Sequence, residues 1–369
     1  MQVAKRARLP TLLGLHSIDK VAMASFMSNT IQATKITSNL ADIESLAAED
    51  LIGTHDGSFH CDEALAVGML KLLPQFANST LVRTRNPALL AKCGIVVDVG
   101  AVYDADTKRF DHHQREFTGV LDGYKTKLSS AGLVYKHYGK DIIRELLKDH
   151  KALTPSFVDI CYRKLYTSFV EHIDAIDNGI SVSDGPARYH VSTTLSARVG
   201  HLNPSWNEEQ TPEIFHSKFK EAVQLTCGEF VRATQSLVSS WWPARSLVQD
   251  ALDSRFAVHP SGSIMVMARA CPWKDHLFEI DNAEGDKPVL YVLYADTGGS
   301  WRIQAVPEDA QSFNSRKKLP SAWCGLRDQE LSDLCGEPGA IFIHASGFIG
   351  GHSTKEGALN MAVKALSLA

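Results

Sequence analysis

Residues 51–73 read LIGTHDGSFHCDEALAVGMLKLL, and this stretch predicts a strand, a tight turn and a helix in direct succession. Leu51–Thr54 is a short apolar run of the kind found in strands. The triplet Asp56-Gly57-Ser58 favours a turn, and the helix is expected from about Asp62 to Leu73. Three side chains that commonly ligate metals would lie where the strand ends and the helix begins: His55, His60 and Asp62.

Two further segments predict the rest of a parallel sheet. Gly94–Gly100 is a continuous apolar run interrupted only by Asp98, as expected for a strand that is buried on both faces. A short strand at Arg109–Phe110 precedes the triplet Asp111-His112-His113. Open α/β sheets bind ligands beyond the carboxyl ends of their strands, so these polar residues are expected to converge there.

A long helix is predicted from about Pro155 to Asp177, because apolar residues recur there near helical spacing. Asp174 is flanked by Ile173 and Ile176, and a carboxylate in such a setting is costly to bury unless a cation receives it. Asp174 is therefore expected to be a metal ligand. Asp177, one turn further on, is the alternative at this position.

Together these segments supply three imidazoles and three carboxylates, which suit two neighbouring divalent cations. Two clustered cations are well suited to the hydrolysis of phosphate esters, so the chain is predicted to be an enzyme. A mixed imidazole and carboxylate set favours manganese over magnesium, although magnesium stays open. The predicted ligands are His55, His60, Asp62, Asp98, His112 and Asp174.

Composition narrows the class of protein. The chain has 369 residues, which suffices for two ordinary domains, and a net charge of −4, which argues against coating nucleic acid or an anionic membrane with the whole surface. An anionic substrate must therefore be bound locally. The seven cysteines include no C-x-x-C pair, so neither a disulfide framework nor a zinc ribbon is indicated and a reducing compartment is favoured. No apolar run is long enough to cross a bilayer, and no membrane partner is expected.

The first forty residues differ in composition from the rest. They are rich in Ser, Thr and Ala and carry several basic residues against one acid, which is typical of a mitochondrial targeting segment. An unstructured tail without a role is the simpler alternative. The cluster Lys5-Arg6-Ala7-Arg8 also leaves a nuclear destination open.

The C-terminal third predicts a second α/β domain, because three strand-like runs precede a closing helix at about Lys355 to Leu368. The predicted organisation is a targeting or disordered segment at 1–40, a metal-binding catalytic domain at 50–180, a linker and helical connection at 181–255, and the second domain at 256–369.

Several residues outside the metal motifs are candidates for substrate binding. Arg188, Tyr189 and Arg198 lie in a Ser-, Thr- and Gly-rich stretch and could contact a nucleic-acid backbone or stack on a base, although ordinary surface roles are as plausible. Glycines before the closing helix would let the backbone approach an anion, unless they form a plain packing turn. The candidates in the second domain are Arg302, His344, Gly350, Gly351, His352 and Lys355.

The order of these motifs resembles that of the DHH phosphoesterase superfamily. The wording GTHDGSFHCDEALA at 53–66 and FDHHQ at 110–114 is similar to the Myg-type exonucleases, once catalogued as metal-dependent protein hydrolases. The resemblance extends to the C-terminus and includes LSARV at 195–199 and GFIGG at 347–351. It implies a DHH-like parallel-sheet phosphoesterase domain followed by a smaller α/β substrate-binding domain.

The resemblance also implies a function, namely a metal-dependent 3′–5′ RNA exonuclease of mitochondria and nucleus that acts on single-stranded RNA. His55, His60 and Asp98 would hold one cation, and Asp98 would be shared with the second. His113 would face the scissile phosphate, and Asp111 would orient the neighbouring imidazoles. The remaining ligands of the second cation would be Asp62, His112 and Asp174.

Two other functions stay open from the residues alone. One is a small-molecule phosphohydrolase that acts on pyrophosphate or short oligonucleotides. The other is a non-catalytic regulatory protein whose metals brace the fold. The sequence makes no prediction of oligomeric state, and the polarity of digestion and the preference for RNA over DNA follow from the resemblance only.

Overall fold

The computed structural model describes residues 31, 33–150, 153–281, 287–310 and 312–368. The chain divides into two compact units, of which the first ends at Leu237 and the second begins at Val238. Most of the predicted targeting segment, residues 1–30 and 32, lies outside the described residues. Ile36–Thr37, within the last part of that segment, form a strand, so the folded chain begins before residue 40.

Within its described residues the first unit contains a mixed sheet, whose strands follow the order β1-β3-β2-β4-β6-β5. All neighbouring strands are parallel except the last pair, β6 and β5. The predicted α/β class with a parallel sheet is therefore confirmed, whereas the DHH-like arrangement of domains stays a prediction. The strands are β1 (Ile36–Thr37), β2 (Leu51–Thr54), β3 (Thr80–Arg83), β4 (Ile95–Val97), β5 (Tyr103–Asp104) and β6 (Arg109–Phe110).

Helix α2 (Cys61–Lys71) lies at the centre of the first unit, and all of its residues are buried. It packs against α4 (Ser130–Leu146) and α8 (Pro212–Ser236). The approach to α8 is close, because a Cβ added to Gly68 would lie 2.8 Å from the Cβ of Cys227. The other helices of this unit are α1 (Leu40–Glu44), α3 (Pro87–Leu90), α5 (Pro155–Leu165), α6 (Glu171–Asp177) and α7 (Leu195–Gly200).

The predicted helix at Pro155–Asp177 is present, but it is divided. A π-helical turn at Tyr166–Val170 separates α5 from α6. One extra residue per turn rotates the following helix about its axis, so positions beyond residue 170 face other directions than an uninterrupted α-helix would give them. Asp174 and Asp177 both lie beyond this turn, in α6.

The second unit has a mixed sheet in the order β10-β11-β9-β8-β7, in which only the β7–β8 pair is parallel. Apolar clusters cover both faces, one of them beneath the closing helix. Among the described residues, no helix of either unit has the length and apolar character needed to span a membrane. The elements are α9 (Trp242–Asp253), α10 (Arg255–Val258), β7 (Ile264–Val266), α11 (Lys274–Asp281), β8 (Tyr291–Ala295), β9 (Trp301–Ala305), α12 (Asp328–Cys335), β10 (Ala340–Ile343), β11 (Ile349–His352) and α13 (Lys355–Ser367).

Arg83, a fully buried residue at the end of β3, hydrogen-bonds the turn between β2 and α2. Its Nε donates to the carbonyl of His55 at 3.1 Å and its Nη2 to the carbonyl of Gly57 at 2.8 Å. The guanidinium also lies 4.5 Å from the ring centroid of Phe219. Arginine suits this position because its planar group donates in several fixed directions at once.

We expect Arg83→Met to destabilise the first unit by about 1–3 kcal/mol, because two buried carbonyls lose their donors. Urea unfolding followed by circular dichroism measures this loss. Arg144→Met is the control, since Arg144 is an arginine whose side chain is half exposed and pairs with the exposed Asp141. Equal stability of the two variants would contradict a bracing role for Arg83.

Candidate metal centre

The predicted metal motifs do meet at one edge of the first sheet. His55 follows β2, Asp98 follows β4 and the Asp111-His112-His113 triplet follows β6. These three strands are parallel neighbours, so their carboxyl ends point the same way. The beginning of α2 completes the cluster by adding residues 60–63.

Asp98 occupies the middle of the cluster and is 4% exposed. Its Oδ2 lies 3.4 Å from Nε2 of His55, and its Oδ1 lies 3.4 Å from Nε2 of His112. The residue has a φ of 60°, which is uncommon outside glycine and turns the chain directly after β4. The two oxygens of one carboxylate therefore face two different imidazoles, as the shared position predicted for Asp98 requires.

One group of potential ligands consists of His55, His60, Glu63 and Asp98, whose ligand atoms lie within 4.8 Å of one another. Glu63 is absent from the predicted set, yet it is fully buried and its Oε1 lies 3.0 Å from Nε2 of His55. Nδ1 of His55 lies 3.1 Å from the carbonyl of Asp56. A proton on Nδ1 would leave Nε2 free to bind a cation.

The sequence did contain a signal for Glu63. It stands three residues after His60, and its carboxylate accepts the His60 backbone N–H at 2.8 Å, as in a capping box. That pattern is fully explained by the start of a helix, so it does not by itself indicate that Glu63 is also a potential metal ligand.

A second group consists of Asp62, His112 and Asp177. Nε2 of His112 lies 3.1 Å from Oδ2 of Asp177 and 4.0 Å from Oδ2 of Asp62. Asp62 is 1% exposed, and neither of its oxygens accepts a hydrogen bond from any described residue. A buried carboxylate without a donor is unfavourable in a protein interior, and a cation at this position would remove the cost. The donor set thus fits a divalent metal ion.

The structure differs from the sequence prediction on the acid of the long helix. A third group consists of Asp98, His112 and His113. Asp174 lies outside all three groups, and its carboxylate accepts hydrogen bonds from Ser129, Gly132 and Tyr166. Asp177, which the sequence left as the alternative, lies beside His112. Asp177 is therefore the acid of α6 that lies among the potential ligands in this structure.

The pKa directions show how strongly negative the cluster is. Burial alone would lower the pKa of His112, but hydrogen bonds to Asp177 and Asp98 outweigh it and raise this pKa to about 10. At His55, burial likewise lowers the pKa, but the hydrogen bonds to Asp98 and Glu63 outweigh it and raise this pKa to about 10. Burial raises the pKa of Asp62 well above its usual range, and the neighbouring carboxylates add to this effect. Cations that enter the cluster would displace protons from it.

His113 differs from His55 and His112, because its side chain is 60% exposed whereas theirs are each 6% exposed. Its Nδ1 lies 2.7 Å from Oδ1 of Asp111, and this hydrogen bond raises the pKa of the imidazole. Asp111 is buried, and it also accepts the Ala101 backbone N–H at 2.6 Å. The pair thus presents a fixed imidazole at the open side of the cluster, and the roles predicted for Asp111 and His113 agree with this geometry.

Candidate substrate contacts in the first unit are placed unequally. Arg188 and Tyr189 are exposed in the irregular stretch before α7. Arg198 is committed to Glu229, with Nη1 3.2 Å from the carboxylate. Arg85 is absent from the predicted set, yet its Nη2 lies 3.3 Å from Nδ1 of His55 and its side chain is more than half exposed. The sequence signal for Arg85 is its position two residues after β3, at the same edge of the sheet as the metal-ligand candidates.

In the second unit the glycine motif lies in a strand that ends just before the closing helix. Gly350 and Gly351 lie inside β11 rather than in a turn before the closing helix. A Cβ on Gly351 would lie 2.5 Å from Nη1 of Arg302, so its absence makes room for that guanidinium. His352 is 2% exposed, accepts the Thr354 N–H at Nδ1 and lies 3.1 Å from the Pro338 carbonyl at Nε2. Both nitrogens of His352 are thus engaged within the second unit, and its role in substrate binding stays a prediction.

The other candidates of the second unit stay accessible to different degrees. Arg302 pairs with Asp296 at 2.5 Å and lies 5.3 Å from the ring centroid of Phe342. His344 is exposed, and its Nδ1 accepts the Ser346 N–H. Lys355 is exposed at the first position of α13.

Comparison with known proteins yields a consistent result. The model of the MYG1 exonuclease family, described as uncharacterised protein family UPF0160, matches residues 51–366. The human MYG1 exonuclease is 50% identical, and the alignment covers 86% of each chain. The mouse MYG1 exonuclease is 49% identical over 86% of this chain and 85% of its own. A MYG1 protein of Caenorhabditis elegans is 48% identical over 86% of this chain and 95% of its own.

We expect Asp177→Asn to weaken divalent-cation binding by about tenfold or more, because an amide is a poorer ligand than a carboxylate. Calorimetric titration of metal-stripped protein with Mn²⁺ measures the affinity. Asp184→Asn is the matched control, since Asp184 is an exposed acid a few residues further along the chain. Unchanged affinity in Asp177→Asn would remove Asp177 from the ligand set.

Proposed function

The chain belongs to the MYG1 exonuclease family, and we propose that it is a metal-dependent 3′–5′ exonuclease that hydrolyses single-stranded RNA. The observation that carries this proposal is the position of Asp98, whose Oδ2 faces His55 and whose Oδ1 faces His112, so that this residue belongs to two groups of potential metal ligands. A shared carboxylate is how proteins hold two cations close together, and such pairs serve phosphate-ester hydrolysis. Relatives that bear the name exonuclease support the same reaction class.

The proposed site holds two divalent cations. His55, His60, Glu63 and Asp98 would hold one, and Asp98 together with Asp62, His112 and Asp177 would hold the other. Imidazole nitrogens in both groups favour manganese over magnesium. Divalent ions held there supply Lewis acidity towards a phosphate ester and stabilise the negative charge that develops on it.

The chain's own residues would act on the substrate at the open side of the cluster. His113 is exposed there, and its hydrogen bond to Asp111 leaves Nε2 to meet the scissile phosphate or protonate the leaving oxygen. Arg85 lies at the edge of the cluster, where it pairs with the exposed carboxylate of Asp56. Its side chain is itself more than half exposed, so it can meet an incoming phosphate as well. Because the chain as a whole is slightly acidic, such local basic groups are needed to receive an anion.

Single-stranded RNA is the proposed substrate because exposed aromatic side chains accompany the site in the first unit. Trp206 is 91% exposed. It follows Asn203, whose side chain hydrogen-bonds both the backbone N–H and the carbonyl of Phe59, next to His60. Aromatic rings in such positions can stack on unpaired bases. Organellar or nuclear RNA processing is the proposed setting, in keeping with the basic N-terminal segment.

We expect wild-type protein with Mn²⁺ to shorten 5′-end-labelled single-stranded RNA stepwise from its 3′ end. Metal removal should abolish the reaction, and Asp98→Asn should lower turnover by about 100-fold or more, because the loss of several kcal/mol of metal stabilisation is expected. Gel analysis of product ladders measures both.

Two results would contradict the exonuclease proposal. Cleavage of pyrophosphate or dinucleotides without cleavage of RNA would indicate a small-molecule phosphohydrolase. Full biological function of Asp98→Asn would indicate a non-catalytic protein that metals merely brace.

We expect His113→Gln to lower kcat by about 100-fold or more while leaving Mn²⁺ affinity close to that of wild type, because His113 is assigned to the substrate rather than to a cation. Steady-state kinetics and metal titration on the same preparation separate the two effects. His172→Gln, an exposed histidine on α6, is the control. A parallel loss of metal affinity in His113→Gln would place this imidazole among the ligands instead.

A further inference from the structure

Asp174 is a fully buried acid, and the proposed function assigns it neither to a cation nor to the substrate. Its Oδ1 accepts three hydrogen bonds: from the Ser129 backbone N–H at 3.0 Å, the Ser129 hydroxyl at 2.7 Å and the Gly132 backbone N–H at 3.0 Å. Ser129 and Gly132 belong to the first turn of α4. Asp174 thus satisfies the free amides of a helix that lies more than forty residues earlier in the sequence.

The carboxylate of Asp174 and the backbone of Gly132 lie very close together. A Cβ on Gly132 would lie 2.3 Å from Oδ2 of Asp174, so only glycine lets the carboxylate reach the amides. Tyr166, in the π-helical turn, donates its hydroxyl to the same Oδ2 at 3.1 Å. Asn178 donates to the Asp174 carbonyl at 2.9 Å and to the Lys127 carbonyl at 3.0 Å. The start of α4 is therefore fastened to α6 from several directions.

The hydrogen bonds between Asp174 and the start of α4 lie next to a residue that contacts the metal centre. Ser129, which would ordinarily cap α4 with its own hydroxyl, gives that hydroxyl to Asp174 instead. Ser130, the next residue, is fully buried and donates its hydroxyl to Oδ1 of Asp98 at 3.0 Å. A shift in the first turn of α4 would move this hydroxyl away from the shared carboxylate.

We infer that Asp174 is a positioning residue that fixes the first turn of α4, so that the Ser130 hydroxyl orients the Asp98 carboxylate between the two metal positions. The inference rests on the proposed metal-dependent function. It assigns Asp174 a role without contact to a cation, because Oδ1 accepts three donors and Oδ2 accepts the Tyr166 hydroxyl.

The test compares two substitutions at this position. Asp174→Asn keeps an oxygen that can accept from Ser129 and Gly132, whereas Asp174→Ala keeps no acceptor. Calorimetric titration with Mn²⁺ should give an affinity near that of wild type for Asp174→Asn and one about tenfold weaker for Asp174→Ala. Equal losses in the two variants would indicate a ligand role, and no loss in either would show that the contact does not reach the metals. Both results would overturn the inference.

A coupling experiment tests the route through Ser130. Ser130→Ala should weaken Mn²⁺ binding by itself, and adding Asp174→Ala to it should cause little further loss, because the two changes act through one hydroxyl. Fully additive losses would overturn the inference. Phe157→Leu, a buried substitution in α5, is the control for general destabilisation, and its metal affinity should stay at the wild-type value.

Two further provisions keep the result interpretable. If Asp174→Ala does not fold, Ser129→Ala takes its place, because it removes the hydroxyl donor to Asp174. A loss of Mn²⁺ affinity smaller than tenfold in this variant supports the inference. An unchanged affinity overturns it. The readout is metal affinity rather than RNA cleavage. Inert wild-type protein that nevertheless shows the predicted pattern of affinities would therefore contradict the exonuclease proposal and leave the role of Asp174 supported.

Discussion

The carboxylate of Asp98 lies between the imidazoles of His55 and His112 in a nearly solvent-free position. A buried anion of this kind is unfavourable unless positive charge surrounds it, and the imidazoles, the Ser130 hydroxyl and the cations proposed for the site would supply that stabilisation. The arrangement requires β2, β4 and β6 to be parallel neighbours, since only then do the carboxyl ends of all three strands meet. Much of the first unit can be understood as support for this contact.

The support comes from both sides of the cluster. Arg83 holds the carbonyls of the turn that carries His55, and Asp174 holds the helix that carries Ser130. Neither side chain is assigned to a cation or to the substrate, yet each fixes a residue that contacts Asp98. Ligands need this kind of positioning because an error of a fraction of an ångström lowers metal affinity.

Sequence pattern predicted β2, β4 and β6 of the first sheet, because these strands follow from local runs of residues. His55 and Asp98 directly follow β2 and β4, and His112 stands two residues after β6, so all three could be proposed as ligands from the sequence. The placement of Asp177 rather than Asp174 beside His112 could not be predicted, because both acids lie near one helical face and the donors that hold Asp174, Ser129 and Gly132, lie more than forty residues away in the sequence. Glu63 was missed because its spacing already has a sufficient explanation as a capping residue. The role of His352 depends on the pairing of β11 with β9 and β10, which only tertiary contacts determine.

The stoichiometry and magnetic coupling of bound Mn²⁺ test the central claim most directly. Metal-stripped protein titrated with Mn²⁺ should bind two ions per chain, and electron paramagnetic resonance of the loaded protein should show an exchange-coupled pair, because Asp98 would belong to the ligands of both ions in the proposed site. Binding of a single ion, or of two ions whose spectra show no coupling, would contradict the shared role of Asp98 on which the account depends.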